Sequence, residues 1–164
     1  MFREMRRKRQ SLSPAESEKI LSEARTGVLG LCGDDGYPYT VPINFAYIDG
    51  RIYFHGAKSG HKADLLARSD KASLCVVQAD EVSPDGLTNY FRSVIVYGRT
   101  RVLTDAEERF AAAERFGLCF CPDKAAVDND IRRCWDALSV VELTPEHITG
   151  KQAKELIPTE DAAR

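Results

Sequence analysis

The chain has no run that approaches the roughly 18 consecutive apolar residues a membrane-spanning helix needs. It also has almost no net charge: 23 Lys and Arg against 25 Asp and Glu leave −2 at pH 7. That balance gives no global field to attract nucleic acid or an anionic membrane, so neither is expected as a partner. The basic stretch Met1–Gln10 is followed by no apolar core and no small-residue cleavage site, so it does not read as a secretory signal, and the cytoplasm is the expected location. A dinucleotide GxGxxG and the phosphate-loop GxxxxGK[ST] are both missing, which removes the usual support for a Rossmann cofactor or for triphosphate hydrolysis. No Ser–His–Asp pattern, carboxylate pair, internal repeat or low-complexity tract stands out. There is no CxxC. The five cysteines (Cys32, Cys75, Cys119, Cys121 and Cys134) are odd in number and lie in apolar segments, which suits free buried thiols in a reducing compartment. Cys119, Cys121 and Cys134 leave a three-thiolate zinc site open as an alternative, against the usual ligand spacing.

What remains is an ordinary globular composition, 43% hydrophobic and 29% charged over 164 residues, enough for one domain with a real core. Residues 1–12 read as a basic flexible arm, either a solvated tail or a contact for an acidic surface or nucleic acid. Residues 13–156 read as the domain and 157–164 as a tail. Ser13-Pro-Ala-Glu16 is a capping box with proline at the first helical position, so a helix begins there. Val28–Cys32 is a short apolar strand ended by Asp34-Asp-Gly36. Tyr37–Ile48 alternates with period two, with Tyr39, Val41, Ile43, Phe45 and Tyr47 on one face. Asp49-Gly50 favours a tight hairpin into Arg51–His55, so three antiparallel strands are expected to meander from 28 to 55. A short helix is expected over 61–69, a buried strand over 72–78, and a polar loop over 80–88. A long strand over 90–103, bent at Gly98, precedes helices from Thr104 to about Gly117 and over 125–134. A closing strand over 137–143 leaves Pro145 onward as a tail or short element. About six strands joined by hairpins, with inserted helices, predict a mainly β domain: an antiparallel Greek-key or meander barrel, since closure removes sticky edges.

The segment that carries chemistry is Phe54-His-Gly-Ala-Lys-Ser-Gly-His-Lys62. It gathers Lys58, His61 and Lys62 at the start of a helix, where the dipole disfavours each cation by about 0.3–1 kcal/mol. Basic residues there, beside glycines that let backbone N–H groups approach closely, make sense if an anion occupies the site, and phosphate fits best. The alternative is a surface loop whose lysines aid solubility. His55, at the end of a strand, is open to three roles: haem ligand, flavin neighbour or capped structural histidine.

Four segments in order, Val41-Pro-Ile-Asn-Phe-Ala-Tyr47, Ile52-Tyr-Phe-His-Gly-Ala57 with Lys62, Arg92-Ser-Val-Ile-Val-Tyr-Gly98 and Ile148-Thr-Gly-Lys151, resemble the pyridoxamine-5′-phosphate-oxidase-like flavoproteins, nearest their nitroimidazole-resistance (Nim) branch. The likeness runs from about residue 13 to 156. It implies a six-stranded split β-barrel, a homodimer, and FMN in a groove between subunits. It places Val41, Pro42, Ile43 and Asn44, and His55, Gly56 and Ala57, along the ring and ribityl chain. It places Lys62, with Ser59 or His61, at the phosphate, and Ser93, Val94 and Lys151 as further flavin contacts. It also makes His55 the candidate catalytic residue. The chain lacks the arginine-rich C-terminal portion that holds pyridoxal phosphate in true oxidases of that family, so vitamin B6 oxidation is not expected. The expected function is an FMN-dependent oxidoreductase using NAD(P)H and a small-molecule acceptor. The alternatives are a non-enzymatic FMN carrier or redox sensor, and a haem-binding split barrel with His55, His61 or His147 as axial ligand.

Overall fold

The computed structural model describes residues 2–83 and 88–157. Helix α1 (Pro14–Glu23) opens on the expected capping box: the Ser13 hydroxyl accepts from Glu16 N–H while the Glu16 carboxylate accepts from Ser13 N–H at 2.8 Å. Strand β1 (Thr26–Cys32) then turns through Asp35 and Gly36, both at positive φ, into β2 (Pro38–Asn44). After Phe45 come β3 (Ala46–Ile48) and β4 (Arg51–Ala57), joined by Asp49 and Gly50, again both at positive φ as a tight hairpin requires. Helix α2 (His61–Arg68) leads to β5 (Lys71–Val82) and β6 (Asn89–Val102). Helices α3 (Ala106–Leu118) and α4 (Lys124–Cys134) precede β7 (Leu138–Gln152).

The strands form one antiparallel sheet in the order β2-β1-β5-β6-β7-β4-β3. Two expectations change here. The period-two run over 37–48 is two strands, not one, and these stand at opposite ends of the sheet order. Phe45 alone joins them, so the sheet must curl until its two edges meet along the chain. Phe45 is fully buried and its N–H donates to Arg25 C=O, outside either ladder. The three-strand meander is therefore two hairpins on two edges, and seven strands replace six. No β2–β3 ladder closes the curl among the described residues. The second change is β7, which runs through Pro145 to Gln152, a full strand where a tail or short element is the sequence expectation. Its register with β6 shifts between Tyr97 and Gly98, opposite Pro145 and His147. A proline that cannot donate to a ladder is accommodated at such a bulge. Gly98 supplies the room, since a Cβ there would lie 2.2 Å from Thr144 O.

Curling gives the sheet two unlike faces. The inner one carries Leu29, Phe45, Phe54, Leu74, Val94, Val96 and Leu143, closed by Ile20 and Leu21 of α1 and Leu65 of α2. Against the outer face of β3, β4 and β7 pack α3 and α4, burying Tyr53, Phe116, Val127, Ile131 and Val140. The β1–β5–β6 stretch of the outer face keeps Val28, Val77, Ile95 and Tyr97 exposed. The N-terminal arm is not free. Ser11 bridges to Lys151, Leu12 N–H donates to Gly150 C=O, Gln10 and Leu12 are buried, and Phe2 rests on the outer face of β6 and β7.

Candidate functional site

On β4 the Phe54 side chain and the Cα hydrogen of Gly56 that replaces one face inward, and the side chains of Tyr53, His55 and Ala57 outward, because Cβ direction alternates along a strand. Its partner β7 sets Gly56 opposite Ser139 and Phe54 opposite Val141. Helix α2 begins at His61, four residues after β4 ends, and is preceded by Gly60, whose φ of 107° is open to glycine alone at little cost. This brings Lys62 back over Gly56. The result is a cleft of about 360 Å³ floored by Phe54, Gly56, Ser139 and Val141, with Lys62 and Leu66 along one wall.

Lys62 is the unusual member. It is half-buried, and among the described residues no carboxylate pairs with it; its Nζ stands 5.9 Å from the centroid of the Phe54 ring. Burial alone pushes its ammonium below the ordinary lysine value. Gly56 is what admits it, for a Cβ at that position would stand 2.9 Å from Lys62 Nζ. A partly desolvated cation with no anion among the described residues, cradled over a glycine at a helix start, is an arrangement that can accept an anion.

The other loop residues are placed differently. His61 hydrogen-bonds Asp34 of the β1–β2 turn at 2.8 Å, and its ring meets Tyr39 edge-on. Arg68 holds the same carboxylate, and these two hydrogen bonds, Arg68 first, keep Asp34 below the usual carboxylate range. His61 is thus committed to tying α2 to the β1–β2 turn. Ser59 and Lys58 are exposed, and Lys58 lies at the cleft rim. His55 points to the opposite face from Lys62. It packs edge-on against Phe116 at 4.9 Å, beside Asp130 and Cys134, in a pocket of about 110 Å³. Burial there, with the charge of Lys62, lowers its imidazole below the ordinary value, and Asp130 opposes the shift. The three cysteines do not converge on a metal, and among the described residues no cluster of His, Cys, Asp or Glu could hold one.

The strand residues fall into two further groups. On edge strand β2, Val41 and Ile43 face the core, Pro42 is exposed, and Asn44 Nδ2 donates to Arg25 C=O at 3.2 Å. At the far end of β6, Ser93 pairs with Lys151, and both face outward, while Val94 is fully buried inward. Val102, at the cleft, and Ser93 are nine residues apart on β6, about 30 Å along the strand at roughly 3.3 Å per residue. In one subunit the Lys62 cleft and the Ser93–Lys151 pair therefore stand at opposite ends of β6. Sequence reasoning missed Ser139, which joins the cleft only through β4–β7 pairing across more than 80 residues, and no local signal marks it.

Residues 13–152 match the profile described as pyridoxamine 5′-phosphate oxidase. Solved structures share the fold. A candidate 5-nitroimidazole antibiotic resistance protein from Bacteroides thetaiotaomicron superposes with TM-score 0.71 at 21% identity, over 87% of this chain and 86% of that one. An FAD-binding protein from Mesorhizobium loti gives 0.68 at 23% identity, over 88% and 98%. The flavocytochrome Anf3 from Azotobacter vinelandii gives 0.75 at 23% identity, over 98% and 78%. No curated protein matches by sequence. No helix among the described residues is long and apolar enough to cross a membrane.

Proposed function

The chain belongs to the pyridoxamine 5′-phosphate oxidase family, and from that premise we propose that it is an FMN-dependent oxidoreductase built as a split barrel and working as a homodimer. The observation that carries this reading is Lys62: a half-buried ammonium without a counter-ion among the described residues, over a glycine, at the mouth of a cleft. A terminal phosphate satisfies it. Lys62 would hold the phosphate oxygens by charge-assisted hydrogen bonds, with the N–H groups around Gly60 and His61 at the helix start adding to them. Ser139 offers a hydroxyl to the same ligand. One compact cationic site suits the single phosphate of FMN better than the two of FAD.

The separation along β6 supports the dimer. An FMN anchored at Lys62 is shorter than the stretch to Ser93 and Lys151 of the same chain, so those residues meet a flavin only when a second copy supplies them. The exposed apolar side chains Val28, Val77, Ile95 and Tyr97 give a second copy a surface to cover. When bound, the flavin supplies the electron chemistry, and the protein supplies anchoring, orientation and access. His55, whose charged form desolvation and the Lys62 charge both disfavour, is a group able to exchange a proton near neutral pH. The haem alternative finds less support. His61 is engaged by Asp34, His147 lies under Phe2, and the pocket at His55 is far smaller than a porphyrin.

Reconstitution tests the proposal. Purified protein mixed with FMN should quench flavin fluorescence with one site per chain, and NADPH or NADH should bleach the bound flavin anaerobically. Binding without bleaching by either donor would leave only a carrier or sensor role. No binding of FMN would remove the reading.

A further inference from the structure

Helix α2 keeps its place over Gly56 with little packing of its own. Eight residues are too few for a helix that is stable alone. Leu65 is its buried side chain, and Lys62, Ala63 and Leu66 are half-buried. From outside it is tied by Asp34, in the turn between β1 and β2. One oxygen of that carboxylate meets His61 Nε2 at 2.8 Å, and the other accepts from Arg68. These are the first and last residues of the helix. Among the described residues, every hydrogen bond or ion pair from an α2 side chain to the β1–β2 hairpin ends on this one carboxylate. The turn that presents it is closely folded, since a Cβ on Gly33 would stand 2.2 Å from Tyr37 O.

Helical geometry carries the clamp through to Lys62. At about 100° per residue, Arg68 comes round to within about 20° of His61, so the two grip one side of α2. Lys62 and Leu66 lie about 100–140° further round, on the side that lines the cleft. A carboxylate that holds both ends of one side fixes the rotation of the helix about its axis. A turn of about 30° would carry a side-chain tip, about 5–6 Å from the axis, through about 3 Å. At the Lys62 ammonium that is a whole hydrogen-bond length.

We propose, on the reading of Lys62 as the phosphate anchor, that Asp34 is a positioning residue for that site. By clamping His61 and Arg68 it sets the rotation of α2 that aims Lys62 into the cleft, and with it the preference for a phosphorylated flavin over riboflavin, which lacks the phosphate. Asp34 is not among the residues that line the cleft, so it acts through the helix.

The sign of the effect separates positioning from plain electrostatics. Removing a carboxylate near an anion site would by charge alone tighten FMN; loss of the clamp weakens it. Fluorescence titration of the full chain with FMN and with riboflavin reads the ratio of the two affinities. Asp34→Ala, which releases both partners, should lower the FMN-over-riboflavin ratio at least threefold, with riboflavin affinity within twofold of the parent's. Asp34→Asn removes the same charge but keeps an acceptor, and its ratio should fall between the two. In the Lys62→Met background Asp34→Ala should change the ratio less than twofold, because the group it aims is gone. A ratio in Asp34→Ala that rises, stays or falls less than threefold, an equal loss for both flavins, or an undiminished effect in the Lys62→Met background would each overturn the proposal. A parent chain that binds both flavins equally would instead overturn the Lys62 reading itself, and the role of Asp34 with it.

Discussion

Replacing Lys62 by methionine should move two quantities in opposite directions. In the folded chain the ammonium is half-buried, faces Phe54 at 5.9 Å and has no carboxylate partner among the described residues. That ring contact contributes about 0.5–1 kcal/mol at a partly exposed site. Against it stands the cost of keeping a charge where burial already pushes the amine toward its neutral form. Methionine keeps the stem's packing beside Leu66 and removes the charge, so the unliganded variant should be as stable as the parent or more so, by about 0–1 kcal/mol. The sign for pH follows. A lysine whose folded value lies below its unfolded value costs stability at neutral pH, and that cost fades as pH rises through the unfolded value. The variant's advantage should therefore shrink at high pH. For FMN the change is a loss: one charge-assisted contact removed costs about 1.5–3 kcal/mol, roughly 10- to 150-fold in affinity. Urea melts of flavin-free protein and calorimetric titration with FMN read the two. A variant that is destabilised without ligand yet binds FMN normally would show that Lys62 is a structural cation and that the anion sits elsewhere.

Other outcomes follow from single contacts. Glu142 is 4% exposed and accepts from Arg51 at 2.8 Å, Tyr53 at 2.9 Å and Arg101 at 3.3 Å. Burial pulls its carboxyl upward, but these partners win and hold it below the usual range. Glu142→Gln should cost about 1–3 kcal/mol at pH 7, and the deficit should narrow in acid. A depressed carboxylate's contribution is complete above its unfolded value and is lost as pH falls through the folded one. Gly98→Ala should cost about 2–3 kcal/mol, read as a lower urea midpoint at unchanged slope, since its Cβ meets backbone at 2.2 Å. Light scattering at micromolar concentration should give the mass of two chains; a monomer mass would leave Ser93 and Lys151 without a role at the Lys62 site.

Local chemistry was legible where neighbours in sequence decide the structure. Ser13 and Glu16 cap α1, Asp49-Gly50 turns a hairpin, and the Gly-rich loop puts Lys62 at a helix start, all as the residues indicate. Gly98 was read as a bend and proves to be a bulge, because its need for space is set by Thr144 on another strand. The break at Phe45 was invisible, since period-two alternation continues straight through it and only the two-edged sheet separates β2 from β3. Pro145 misled for the complementary reason: the bulge that tolerates it depends on pairing with β6. His61 resembled an anion ligand until Asp34, 27 residues earlier, appeared beside it. The seat of Phe2 on His147 joins the two ends of the chain, and nothing in either segment announces the other.

Where the flavin phosphate binds is the most direct test of Lys62 as its anchor. Riboflavin is FMN without that group, so the ratio of their affinities isolates the contact assigned to Lys62. Fluorescence titration of the parent chain should show FMN binding at least tenfold tighter than riboflavin, with Lys62→Met bringing the two ligands close to equal. Equal affinities in the parent, or a preference for FMN that persists undiminished in Lys62→Met, would contradict it.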